Sequence, residues 1–169
     1  MSIAQGMLQE LEMEAATTRK FLERVPESKY DWKPHEKSMT LGRLAGHVAE
    51  MGMWGQMTAA MNEIDIAPVG QEPYKACVAT SSKQLLEEFD KNTAAFKSAL
   101  PKVTDAQMME PWSLKSGGNT IFTIPRVACL RGFVLNHNVH HRAQLGVYLR
   151  LLDVPVPQTY GPSADDKGM

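Results

Sequence analysis

Three histidines in this sequence are spaced so that their imidazoles can converge. His137 and His141, within LNHNVHHRAQLGVYLRLL, are four residues apart, so on a helix they share one face a turn apart and can reach a common point. Leu130 and Val134 precede them on that face, and Leu145 and Tyr148 follow, so the pair interrupts a core stripe instead of decorating a solvated surface. Buried imidazole nitrogens need partners, and two protonated rings side by side would repel. One shared cation resolves both problems. His47 repeats the pattern on another apolar stripe, after Leu41 and Leu44 and before Met51 and Trp54. Three imidazoles from two helices, with a position left open, describe a catalytic divalent-metal site better than a closed structural one. Zinc and nickel are the expected ions, and octahedral iron suits the same ligands. The bland alternative is two satisfied core histidines and one exposed one.

Three neutral ligands leave the ion's charge uncancelled. A water there would ionise near neutral pH, or a thiol would bind as the nucleophilic thiolate. The residue pattern leaves that choice open, so a metal-dependent hydrolase stands beside a thiol-using enzyme. Glu50, three residues after His47, is the candidate catalytic carboxylate. It can orient an imidazole or accept a proton; otherwise it is a solvated helix carboxylate. Gln144, three after His141, reaches either the site or a neighbouring helix. Met51 and Trp54 are expected in an apolar wall. Asn136, Asn138 and Arg142 lie roughly 100° or more around the helix from at least one ligand, which favours interhelical roles. Cys129, about 12 Å along the axis from His137, is too distant for a fourth ligand and reads as a small buried hydrophobe. His35 falls in a charged loop, where exposure is the default, and Cys77 falls in a connection.

These side chains need rods to hold them. Ile3, Met7, Leu8, Leu11, Ala15, Thr18 and Leu22 give helical spacing over about Ile3 to Val25, which Pro26 ends. PESKYDWKPHEKS reads as an ordered loop pinned by Tyr30 and Trp32. A second helix starts near Ser38 or Thr40 and runs through TLGRLAGHVAEMGMWGQMTAAM, its glycines allowing close helix approach. Asn62 to Cys77 reads as a connection. A third helix is expected from Ser81 or Ser82 to Leu100, with one further turn over Thr104 to Met109. WSLKSGGNTIFTIP predicts a turn or short hairpin at Gly117-Gly118. The longest helix runs from about Ile124 or Pro125 to Leu152, with Pro125 in its first turn, and TYGPSADDKGM follows as extended or frayed chain. Four main helices with almost no strand signal predict an all-α four-helix bundle forming a single domain over residues 1–169.

Composition narrows the functions. At 43 % hydrophobic and 22 % charged residues the chain is ordinarily globular, and a formal net charge of −1 leaves no basic excess for nucleic acid. The N-terminal stretch carries acids and no continuous apolar run, so neither a signal peptide nor a membrane span is expected. Two cysteines, Cys77 and Cys129, far apart in sequence, with no export signal, predict reduced thiols and a cytoplasmic protein; the open metal site, for its part, calls for a small-molecule substrate.

Two stretches carry a resemblance. YDWKPHEKSMTLGRLAGHVAEM has a Trp-x-Pro step followed by a histidine inside the second helix, and NHNVHHRAQLGVYLRLLDVP is close to an HxxHHRxQL pattern. In both, and along essentially the whole chain, the sequence resembles the DinB-like (YfiT-like) metalloenzyme family; Ala143 stands where many members carry glycine. The resemblance implies an antiparallel four-helix bundle, a homodimer, and a divalent metal held by the residues matching His47, His137 and His141. His140 matches a variable middle histidine, placed around the site and not on the ion. Defined activities in the family mostly use low-molecular-weight thiols, as thiol S-transferases and a thiol-dependent isomerase. The implied function is therefore a metal-dependent thiol S-transferase with a low-molecular-weight thiol as cosubstrate. A non-catalytic metal-binding protein of the stress response is the alternative outside enzymology.

Overall fold

A computed structural model describes residues 1–167 of the chain. Each long helix starts at a side chain able to accept an orphan backbone N–H. Helix α1 spans Ile3–Leu22, where Ser2 Oγ accepts from the Gln5 N–H and the Gln5 side chain accepts from the Ser2 N–H. Helix α2 spans Leu41–Ala60 behind Thr40, and α3 spans Ser82–Ala99 behind Ser81. The short α4, Asp105–Met109, is capped by Thr104. A final rod comprises α5 (Arg126–Cys129), a π-helical stretch over Leu130–Asn136, and α6 (His137–Leu151). The loop before α2 is ordered as expected: Trp32 packs edge-on against Tyr148 at 5.6 Å, and the Leu41 N–H donates to the Trp32 carbonyl.

The expectation of an all-α bundle is overturned. Among the described residues there are five helices, counting the final rod once, and a three-stranded mixed sheet. Strand β1 (Glu63–Asp65) pairs parallel with β2 (Pro111–Ser116), which pairs antiparallel with β3 (Asn119–Pro125). The hairpin turns at Gly117-Gly118, whose φ of 59° and 79° suits residues without a Cβ. The hairpin itself was legible; what composition hid was β1, three residues inside a polar connection. Asp65 closes the sheet by accepting the backbone N–H groups of Ala67, Gly117 and Gly118. Trp112 is buried, and Leu114, Phe122 and Ile124 join it in covering apolar surface near Trp54 and Met57.

The implied antiparallel arrangement is corrected as well. Asn92 Nδ2 donates to the Ala49 carbonyl, and three residues on along α2 Gly52 again abuts Asn92, with Gly55 against Phe96, so α2 and α3 run in the same direction. The same reasoning from Glu10–Arg131 and Glu14–Arg142 makes α1 parallel to α6. The long link between α2 and α3 crosses from one end of the bundle to the other and carries β1 on the way. Two helical clusters form the core, one around Leu41, Leu44, Leu85 and Leu145 and the other around Phe96, Leu100, Met108 and Leu130. The tail is extended and pinned, not frayed: Asp165 holds Arg150 and the Val156 N–H, and Tyr160 bonds Arg142 and Glu14. Its final two residues, 168 and 169, lie outside the described ones. No described helix is long and apolar enough to cross a membrane.

Candidate metal centre and its cavity

The mid-section of α2 faces the start of α6, and there three imidazoles meet. His141 Nε2 lies 2.7 Å from His137 Nε2, and His47 Nε2 lies 3.4 Å from His137 Nε2. One nitrogen from each ring falls within 4.8 Å of the others. Two imidazoles on a common ion, with bonds of about 2.1 Å at 90–110°, have nitrogens about 3.0–3.4 Å apart. The observed spacings bracket that range.

The outward nitrogens decide what the inward ones are. His47 Nδ1 lies 2.6 Å from Glu50 Oε1, His141 Nδ1 lies 2.7 Å from Gln144 Oε1, and His137 Nδ1 lies 3.3 Å from the Phe133 carbonyl oxygen. Each partner is an acceptor, so each Nδ1 carries the hydrogen and each neutral ring presents a bare Nε2 lone pair. Bare lone pairs 2.7 Å apart repel unless a proton or a cation lies between them. Burial drives the His141 imidazole down to about 4, against the help of Gln144, and lowers His137 as well, with the neighbouring His47 adding to both. At neutral pH a shared proton is therefore disfavoured, and the donor set fits a divalent metal.

The π-helical stretch contributes directly. In an unbroken α-helix the His137 N–H would bond the Phe133 carbonyl; here it bonds Val134 instead. The Phe133 carbonyl accepts from the His137 ring. π-Helical insertions recur at functional sites for this kind of re-aiming.

Glu50 is 3 % exposed, so it is not a solvated carboxylate. Oε1 accepts from His47 and, at 3.1 Å, from Arg43 Nη2, while Oε2 accepts the Cys77 N–H at 2.7 Å. Burial alone would raise this carboxyl, but the bond from His47, the nearby Tyr74 hydroxyl, the Cys77 N–H and the Arg43 charge together hold it below the ordinary carboxylate value. The loop reaches Glu50 because residue 46 is glycine: a Cβ on Gly46 would stand 2.4 Å from the Cys77 carbonyl oxygen. Arg43 Nη1 donates to that same carbonyl at 3.0 Å.

Beside the imidazoles lies a cavity of about 200 Å³, walled by His47 and His137, by Met51 and Trp54 of α2, and by Trp112 and Phe122 of the hairpin. Phe122 stacks on Phe133 at 4.7 Å, and Tyr74 meets Trp54 edge-on at 4.9 Å. Cys129 reaches this wall, where burial pushes its thiol up to about 11 and keeps it protonated. His140 is exposed, with its ring 4.9 Å from that of His141, and His35 is exposed in the loop before α2. Arg142 joins α1 through Glu14 and Thr18, Asn138 accepts from Thr18, and Asn136 is exposed. Sequence reasoning missed Arg43, Tyr74, Trp112, Phe122 and Phe133. Arg43 and Phe133 stand one helical turn before His47 and His137, and Trp112 and Phe122 flank the Gly-Gly turn in alternation; Tyr74 gave no signal.

Known proteins share this arrangement of chain. The uncharacterized protein YrdA of Bacillus subtilis is 28 % identical over 161 residues, covering 94 % of this chain and 89 % of the relative. A crystal structure of a DinB-like protein from Bacillus cereus ATCC 10987 superposes with a TM-score of 0.67 at 25 % identity, over 94 % of this chain and 98 % of that one. The DinB-like protein YjoA of Bacillus subtilis has the same fold at a TM-score of 0.65 and 17 % identity, over 97 % and 99 % of the two chains. Residues 1–167 match the DinB family, and the chain belongs to that family.

Proposed function

We propose that the protein is a divalent-metal-dependent thiol S-transferase, in which His47, His137 and His141 hold the ion and the adjoining cavity holds the electrophile. The observation that carries this reading is the set of three inward Nε2 lone pairs beside an apolar cavity. Zinc or nickel is the ion we expect. An ion so held supplies Lewis acidity, lowering the pKa of a thiol or water that joins it.

The protein's own groups do the rest. Glu50, Gln144 and the Phe133 carbonyl fix the three rings in one tautomer and orientation. Met51, Trp54 and Trp112 exclude water and favour an uncharged partner. In the transfer, a sulfur–carbon bond forms, the carbon–leaving-group bond breaks with its electron pair on the leaving group, and the thiol proton passes to solvent.

Hydrolysis at the same site would call for a free base to take a proton from water. Both Glu50 oxygens are already occupied, which favours thiol chemistry. The test is loss of an aryl halide in the presence of cysteine or glutathione, with protein loaded with zinc or nickel. Thiol-dependent turnover, abolished by His137→Ala and by chelation, is the expected result. Turnover that proceeds equally without thiol overturns the transferase reading in favour of hydrolysis.

A further inference from the structure

The cavity beside the imidazoles has the size of one substituted ring: an engineered apolar cavity of roughly 150 Å³ binds benzene, and this one measures about 200 Å³. Its wall is almost wholly apolar, yet two of its residues bring donors that the fold leaves without a hydrogen-bond partner. Trp112 is 2 % exposed, and its Nε1–H is unpaired. The Tyr74 hydroxyl is buried and unpaired too; it stands near the Glu50 carboxylate but outside hydrogen-bond geometry, and both Glu50 oxygens are engaged elsewhere. Burial and the Glu50 charge keep that hydroxyl protonated, hence a donor. Buried donors are almost always satisfied in folded proteins. Among the described residues, the unpaired buried side-chain nitrogens and oxygens are four in number, and two of the four belong to this one wall. No acidic residue lines the cavity, and the one permanent cation, Arg43, is held by Glu50 and the Cys77 carbonyl.

We propose that this cavity binds an uncharged single-ring molecule bearing an acceptor oxygen, such as an aryl or cyclic carbonyl, with the Trp112 indole N–H and the Tyr74 hydroxyl as the donors to that oxygen. The proposal deepens the reading given above by naming the class of electrophile, and it rests on that reading only for the ring's role as substrate. The ring fills the space between Trp54 and Phe122. The oxygen supplies what the fold withholds from the two donors, which also draw electron density from the carbonyl, so that at a conjugated ring carbon bearing a leaving group the sulfur–carbon bond forms as that group departs with its electron pair.

The test uses the full chain, as purified and again after chelation, with acetophenone and ethylbenzene as probes, shape-matched rings with and without the oxygen. Isothermal titration calorimetry gives the two dissociation constants, and their ratio is compared between wild type and variants, which cancels the probes' difference in hydrophobicity. The expected result is a ratio shifted against acetophenone by about fivefold or more in the Tyr74→Phe/Trp112→Phe double variant, with ethylbenzene binding little changed. Tyr74→Phe alone, which keeps the ring and its packing, shows part of the same shift should the double variant fold poorly. An unchanged ratio in these variants overturns the proposal and leaves water as the donors' partner. Failure of both probes to bind wild type overturns it too. Because both probes are unreactive and are measured with and without metal, binding that persists while thiol transfer fails refutes the proposed activity alone.

Discussion

Glu50→Gln tests the centre most sharply, because the substitution preserves shape and removes only charge. In the native protein the carboxylate accepts the His47 Nδ1–H at 2.6 Å and balances Arg43, whose Nη2 lies 3.1 Å from it and 3.4 Å from His47 Nδ1. A charge-assisted hydrogen bond is roughly twice as strong as a neutral one, so the amide loses about 1 kcal/mol of the imidazole's orientation and basicity. The guanidinium is then left without its counter-charge. With an effective dielectric between 20 and 80, a unit charge several ångströms from a divalent ion acts on it with about 1–5 kcal/mol. The Arg43 side chain is 23 % exposed, which places this at the lower end. Together the losses come to about 2–3 kcal/mol, or about 30- to 150-fold weaker metal binding.

Competition against a chromophoric chelator at neutral pH measures that constant directly. The two contributions separate in a second step: adding Arg43→Gln to Glu50→Gln removes the unbalanced charge and is expected to recover about fivefold or more, while the hydrogen-bond loss stays. Affinity within threefold of wild type for Glu50→Gln refutes the claim that this carboxylate tunes the ligand. A double variant no tighter than the single one refutes the charge-balance argument.

Three further perturbations follow from the same structure. In metal-free protein the His141 imidazole titrates near 4, below its unfolded value, so the unfolded chain takes up the proton first; stability holds above about pH 6.5 and falls toward pH 4 by up to roughly 3 kcal/mol, read as Tm against pH in chelator. A Tm that stays flat between pH 7 and 4.5 contradicts this. Gly46→Ala sets a Cβ against the Cys77 carbonyl; it is expected to lower Tm by roughly 5 °C and weaken metal binding through the Cys77–Glu50 contact, and an unchanged Tm is the contrary result. Arg126→Met removes a buried guanidinium that donates to the Thr58, Met61 and Gln107 carbonyls; about 3 kcal/mol or more should be lost in urea unfolding, and a loss under 1 kcal/mol speaks against that role.

How much of this was legible in the sequence depends on how local each feature is. The starts of the second and third helices were legible because a Ser or Thr cap acts on an N–H three residues away, as Thr40 and Ser81 do; Ser2 and Thr104 cap their helices in the same way. The three histidines were legible because their spacing within apolar stripes follows the helical repeat. Strand β1 and the direction of α3 were not, because both depend on where distant segments dock. One cue was available: antiparallel neighbouring helices are usually joined by about 2–8 residues, and the stretch between Ala60 and Ser82 is far longer, as a crossing connection requires. Tyr74 lies within that connection, where no periodicity marks an inward side chain.

Locality also separates the two halves of the site. Every ring nitrogen that faces away from the centre is bonded within its own rod: His47 to Glu50, His141 to Gln144, His137 to Phe133. Ring orientation is thus set by helix geometry alone, and tertiary structure has only to bring α2 against α6. It does so from both ends, through the Tyr148 hydroxyl on the Met39 carbonyl and through Arg126 on the Thr58 carbonyl. The side of the cavity that faces these helices has no such local support. Trp112 and Phe122 come from the hairpin and Tyr74 from the crossing connection, and each is placed by contacts distant in sequence. The three-histidine donor set therefore depends on two helices and a handful of short-range bonds, whereas the facing wall of the cavity depends on segments that can change without disturbing those helices. A fold arranged this way can keep one centre while its wall is rebuilt for different partners, so substitutions in the wall and in the histidines test separate parts of the proposal.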